Sequence, residues 1–220
     1  MVRLWPLPLL AGVLPFVATA LAFDLATRSG LVPDCNPFLD GCMSISRTAR
    51  HGLANVLFRA LILPAGVLQA LCWCAAPAWV RSLGVPGDRW LRALPALGIA
   101  AAVALVLYGS CLGVEGEGYR MVRRHAVPLY FGLTCIAMLV VSNGAWRGMG
   151  HRGALALLAA CMALPLLGLA HVFLPLALSS VAGDALENIT EWWAGAIFTV
   201  FFLALAQAWW RTGLAIEIGA

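Results

Sequence analysis

Residues 35–51 read CNPFLDGCMSISRTARH. Two cysteines, an aspartate, two serines, two arginines and a histidine crowd together there, in a chain that is otherwise mostly apolar. These residue types allow three chemistries. Ser44 or Ser46 with His51 and Asp40 contains the ingredients of a hydrolase triad, but no GxSxG elbow is present to hold a serine at a strained turn. Arg47 and Arg50 carry planar guanidinium forks suited to bidentate binding of phosphate. Cys35 and Cys42 are close enough in sequence for a disulfide to close the loop between them, a bond that persists in oxidising compartments.

Ionisable groups farther along extend the set. His125, His171, Glu187 and Glu191 lie at or near the ends of apolar runs, where a membrane keeps such groups only when they are paired or functional. Glu191 or Glu187 with His125 or His171 forms a candidate acid–base pair. Asp184, Glu187 and Glu191 share one face if a helix covers them all. In the competing reading Glu191 is a cap, because Asn188-Ile189-Thr190-Glu191 has capping-box spacing. Arg59, two turns into an apolar run, either snorkels to lipid phosphate or pairs with Glu187 or Glu191. His51, His125 and His171 are the alternative metal ligands, since zinc needs three or four convergent groups. No HxxxH or HExxH spacing occurs, and the expectation is that no metal or other cofactor is bound. Cys72, Cys74, Cys111, Cys135 and Cys161 read as small apolar packers.

The elements that position these groups follow from composition. The chain has 220 residues, 62% hydrophobic and 11% charged, with mean hydropathy +0.91. Soluble domains average about 25% charged residues, so too few charges are present to clothe a globular surface. The reading is an all-α integral membrane protein. A spanning helix needs about 20 mostly apolar residues, and six stretches qualify, approximately 4–23, 53–80, 91–114, 124–141, 154–178 and 190–210. They make a single transmembrane domain over 1–220, with a first outer loop at 24–52. The first stretch also has the Ala18-Thr19-Ala20 pattern of a signal-peptide cleavage site; it is counted here as a retained helix. With the N-terminus inside, seven arginines and two acids face the cytoplasm, and six arginines and eight acids face outward. The last outer loop holds no arginine, which favours the N-in/C-in arrangement because positive side chains collect inside. A net charge of +4 is too small and dispersed for nucleic-acid binding. The absence of lysine from an Ala-, Leu- and Gly-rich chain matches the codon bias of a GC-rich bacterial genome, hence an inner membrane with its polar site facing the periplasm or exterior.

Cys35-Asn36-Pro37-Phe38 followed by Ser44-Ile45-Ser46, between a first and a second helix, resembles the first luminal loop of the Frag/DRAM/Sfk membrane family. Glu191-Trp192 at the opening of ENITEWWAGAIFTVFFLALAQAW is similar to an E-W pair that opens the last helix of that family. The matched segments cover about thirty residues. Ala49 stands where the family pattern places a glycine after the S-I-S element. The resemblance implies a six-helix bundle working on lipid from the non-cytoplasmic side, with Ser44, Ser46, Glu191 and Trp192 near the site. The eukaryotic family's role in GPI-anchor remodelling does not carry over to a bacterial chain.

The leading expectation is therefore binding, extended to modification, of an anionic lipid or lipid-linked headgroup at the outer leaflet. Arg47, Arg50 and Arg59 hold phosphate, lined by Ser44, Ser46, His51, Glu187 and Trp192. Glu191, His125 and His171 are the catalytic candidates. The alternatives are a non-catalytic subunit packed among membrane-protein partners, to which nine tryptophans are suited, and a small-molecule transporter.

Overall fold

The computed structural model describes residues 1–173 and 180–217. Its helices are α1 (Pro6–Arg28), the single turn α2 (Ile45–Thr48), α3 (Gly52–Ser82), α4 (Arg89–Cys111), α5 (Glu117–Phe173) and α6 (Ser180–Thr212). Two short strands, β1 (Val2–Arg3) and β2 (Ala215–Ile216), pair antiparallel, with Val2 opposite Ile216. The chain is an all-helical membrane-type fold in which five helices are long and apolar enough to cross a bilayer.

Several helix boundaries differ from the sequence reading; α5 starts at Glu117 and α6 at Ser180, ahead of the expected 124 and 190. α1 runs on past residue 23 to Arg28, where Asp24 and Arg28 pair at 2.9 Å one turn apart. The stretches expected at 124–141 and 154–178 are, as far as Phe173, the two arms of α5, joined at Gly150 (φ 73°, ψ 176°); residues 174–178 lie outside the described ones. At 1.5 Å per residue a straight helix of that length would measure about 85 Å. It folds back instead, so that the Ser142 hydroxyl donates to the Leu157 carbonyl at 3.3 Å across the turn. Gly150 has a positive φ that suits a residue without Cβ. Asn143, Arg147, His151 and Arg152 made the region look like a loop, yet the helical arms run up to Gly150 from both sides, so that only that residue departs from helical φ/ψ.

The helices pack in a ring, α1 on α3, α3 on α4, α4 on α5, α5 on α6 and α6 on α1. Within lipid no hydrophobic force separates helix from tail, so contact rests on close van der Waals fit and on small residues that permit it. α1 presents buried Ala11, Ala18, Ala22 and Ala26. At Gly12 a Cβ would stand 2.7 Å from Phe202 Cβ, and at Gly98 one would stand 2.1 Å from Trp73 Cβ. Trp73 fills the centre, its ring 5.4 Å from Phe202 and 6.1 Å from Phe201. At mid-depth, Tyr130 Oη donates to Gln69 Oε1 at 3.1 Å and Gln69 Nε2 donates to the Ala11 carbonyl at 3.3 Å. That carbonyl lacks its helical partner, since the residue four positions on is Pro15, which has no N–H.

α1 and α6 end beside each other at β1 and β2, and Trp79 Nε1 of α3 donates to Thr212 Oγ1 there at 3.0 Å. We call this the terminal end, and the opposite one, carrying residues 29–51, the loop end. Gly98→Ala forces a methyl into Trp73 at the terminal half of the bundle. Overpacking of this kind costs about 1–3 kcal/mol, so the variant melts several degrees below the parent in detergent. An unchanged melting temperature would refute the close α3–α4 packing.

Candidate functional site

The loop-end site is built from the segment that opened the sequence. Asn36 begins an Asx-type turn, its Oδ1 accepting from Phe38 N at 3.1 Å, while Asp40 Oδ2 accepts from Asn36 N at 2.8 Å. Cys35 and Cys42 close the loop with a disulfide. α6 then clamps it. Asn188 Nδ2 donates to the Gly41 carbonyl at 2.7 Å, Trp192 Nε1 to Met43 O at 2.9 Å and Trp193 Nε1 to Phe38 O at 3.1 Å. The Phe38 ring sits 5.4 Å from both indoles. Gly41 has φ +60°, and a Cβ there would fall 2.1 Å from the Ala185 carbonyl oxygen, so only glycine lets the loop lie on the helix backbone.

The clamped loop delivers α2. Ser44 is its N-cap, accepting from Arg47 N at 3.3 Å, with Ser46 Oγ 3.2 Å away. Asn55 ties α2 to its neighbours, donating to Ala49 O at 2.9 Å and to Leu112 O, just past α4, at 3.1 Å. Arg123 secures the end of α4 by donating to the carbonyls of Cys111 and Val114.

α2, the two arms of α5 and the start of α6 enclose an open cleft of about 800 Å³. The first arm of α5 lines it with Arg120, Arg123, Arg124, Val127 and Phe131, residues recurring every three or four positions and so forming one helical face. The second arm contributes Leu164, Pro165 and Leu167, and α6 contributes Glu187, Thr190, Glu191 and Ala194. With Arg47 and Arg50 from the loop side, five guanidinium groups gather at one end, and the wall beyond them is apolar. Among the described residues, neither Glu187 nor Glu191 forms an ion pair with any of the five; Arg120 pairs instead with Glu117, at 3.1 Å. Arg50 Nε is buried without a hydrogen-bond partner. The Glu191 carboxylate faces the backbone N–H groups of Ile45 and Ser46.

A second, narrow cavity of about 80 Å³ continues into the bundle. It shares Tyr108, Val127, Phe131 and Glu191 with the cleft and reaches Gln69, Tyr130 and Phe202 in the interior.

Of the residues expected at the site, Ser44, Ser46, Arg47, Arg50, Glu187 and Glu191 line the cleft. α6 begins at Ser180, so Asn188 is mid-helix rather than an N-cap. The capping-box reading of Glu191 gives way to the shared-face one, with Asp184 exposed outside the cleft. His51 is the exposed N-cap of α3 and lines a neighbouring groove with Glu115 and Glu117. His125 is exposed, and its register on α5 turns it off the Arg120–Arg124–Val127 face. Arg59 is half-buried, forms no ion pair among the described residues and does not line the cleft. Trp192 is 5% exposed and serves as the loop clamp rather than as cleft wall. The His171 side chain lies outside the described residues. Among those residues, no three His, Cys, Asp or Glu come together as a metal site. Sequence reading missed Arg120, Arg123, Arg124 and Tyr108; the three- and four-residue spacing of the arginines with Val127 and Phe131 was the available signal.

Comparison with protein-family models, curated proteins and solved structures finds no match.

Replacing Asn188 by Ala together with Trp192 by Phe removes the donors to the Gly41 and Met43 carbonyls while keeping an aromatic ring. A buried acceptor left unmade costs about 1–3 kcal/mol, so amide exchange across residues 41–46 accelerates by an order of magnitude or more. Unchanged exchange would mean the loop does not depend on α6.

Proposed function

We propose that this protein spans the membrane six times, with both termini in the cytoplasm, and holds an anionic lipid at the outer-leaflet side. The headgroup phosphate lies among Arg47, Arg50, Arg120, Arg123 and Arg124, and hydrocarbon lies along the apolar wall of the same cleft. The observation that carries this reading is the amphipathic lining of the cleft: five guanidinium groups against two carboxylates at one end, and apolar side chains at the other. Four of these guanidinium groups form no ion pair among the described residues, one with a buried unpartnered Nε, and such groups are poised for a doubly bonding oxyanion.

The six-span arrangement draws support from the fold-back at Gly150 and from the paired β1 and β2, which put both chain ends at one end of the bundle. The disulfide at the loop end favours an oxidising compartment there, and the absence of arginine from the last outer loop favours the same orientation. Epitope tags inserted after Leu39 and after Gly150 are then reached by antibody from opposite faces of the membrane; labelling from one face removes this topology.

The reading is binding. An acid–base pair of Glu191 with His125 has no support in the cleft lining, and the His171 side chain lies outside the described residues.

The test uses nanodiscs and native mass spectrometry with phosphatidic acid, phosphatidylglycerol and phosphatidylcholine of matched chains. The parent retains the two anionic lipids over phosphatidylcholine. Arg50→Gln and Arg124→Gln each weaken that retention by roughly tenfold, the scale of one charged hydrogen bond. Arg123 is left intact because it also caps α4. Equal retention of all three lipids would end the proposal.

A further inference from the structure

The narrow cavity beneath the cleft has a neck, a length and a blind end. Its neck is Tyr108 and Glu191, which line both spaces. Its length follows α6 from Glu191 to Phe202, about 16 Å at the helical rise. Its blind end is the Gln69–Tyr130 pair, whose hydrogen bonds are directed to each other and to Ala11. Between neck and end the walls are Phe58, Ile62, Leu105 and Phe198.

Tyr108 gives the neck its chemistry. The residue is 7% exposed, yet its hydroxyl makes no hydrogen bond among the described residues. The charged groups it faces are Glu191, Arg50 and Arg123. A hydroxyl left without a partner at membrane depth costs free energy, and this one stands where the polar cleft meets the apolar slot. An acceptor with apolar continuation on one side and an anion on the other satisfies it, and the carbonyl of a fatty-acyl ester has that form. The slot is also narrow: about 80 Å³ gives room for a short run of one chain and not for two.

We infer that one acyl chain of the bound lipid threads past Tyr108 and Glu191 into the interior slot, its ester carbonyl accepting from the Tyr108 hydroxyl. The ligand class is thereby an acyl-ester phospholipid, as opposed to an isoprenyl phosphate or an ether lipid. This rests on the cleft being an anionic-lipid site, and it adds which chain linkage that site selects.

The experiment compares four probes on the full chain in nanodiscs by native mass spectrometry: diacyl phosphatidylglycerol, its dialkyl-ether analogue with equal chains, an isoprenyl phosphate, and diacyl phosphatidylcholine. The parent retains the diacyl anionic lipid roughly fivefold over the ether lipid, the scale of one neutral hydrogen bond, and retains the isoprenyl phosphate less than either. Tyr108→Phe levels diacyl and diether. Gly195→Leu fills the slot and lowers retention of both; a Cβ at Gly195 meets only Ile45 Cδ1, at an ordinary 3.7 Å, so this variant keeps the fold if Tyr108→Phe does not. Equal retention of diacyl and diether by the parent, an ester preference that survives Tyr108→Phe, retention indifferent to Gly195→Leu, or preference for the isoprenyl phosphate would each overturn the inference while leaving the anionic-lipid reading in place. Retention of phosphatidylcholine equal to that of every anionic probe would instead remove that reading itself.

Discussion

Inside a bilayer every backbone carbonyl must find a donor within the protein, and Pro15 breaks that rule at Ala11. The repair organises the middle of the molecule. Gln69 of α3 donates to the freed carbonyl, and Tyr130 of α5 donates to the other end of Gln69. Three helices are thus fixed at one depth by two hydrogen bonds, in a medium that supplies no water to replace them. The same pair closes the interior slot from below. A defect in α1 has become the floor of a cavity lined by all five long helices and by Ile45 of α2.

Above that floor the structure separates charge by element. The bases lie on α2, just after it and on the first arm of α5; the two acids lie on α6. Each is occupied locally or held apart, Arg120 by Glu117, Arg123 by the end of α4, and Glu191 by the N–H groups of α2. The cleft therefore stays open instead of collapsing on its own ion pairs. Holding α2 in this position falls to aromatic and amide side chains of α6, with the disulfide limiting how far the loop can stray. Affinity for an anion would then come from groups already positioned, with little ordering left to be done on binding.

Much of this was legible in the chain. Few charges and six apolar runs identify the membrane class, and the spacing of Cys35 and Cys42 anticipated their bridge. Ser44, Ser46, Arg47 and Arg50 stood out because polar residues are costly beside lipid. Glu187 and Glu191 were correctly placed on one face only on condition that the helix started early, which Ser180 satisfies. What stayed hidden depends on register and on depth. Arg120, Arg123 and Arg124 looked like loop charges because hydropathy ended the helix near residue 124, whereas the backbone runs helical from Glu117. Tyr108 was one more aromatic in an apolar run, and its significance arises only where two cavities meet. Arg59 and His125 were candidates on chemistry, and helix rotation placed them elsewhere; sequence spacing within one helix says nothing about which neighbour that helix faces.

The fold-back at Gly150 joins the two arms of α5 through a single residue at the terminal end, while the cleft lies between those arms at the loop end. The geometry is that of tongs. From Gly150 to Gly168 on the cleft wall the lever is about 27 Å, so a rotation of about 5° at the pivot swings the wall by roughly 2 Å. A small rotation on the far side of the bundle would thus be felt at the cleft, although Gly150 is not among the residues lining it.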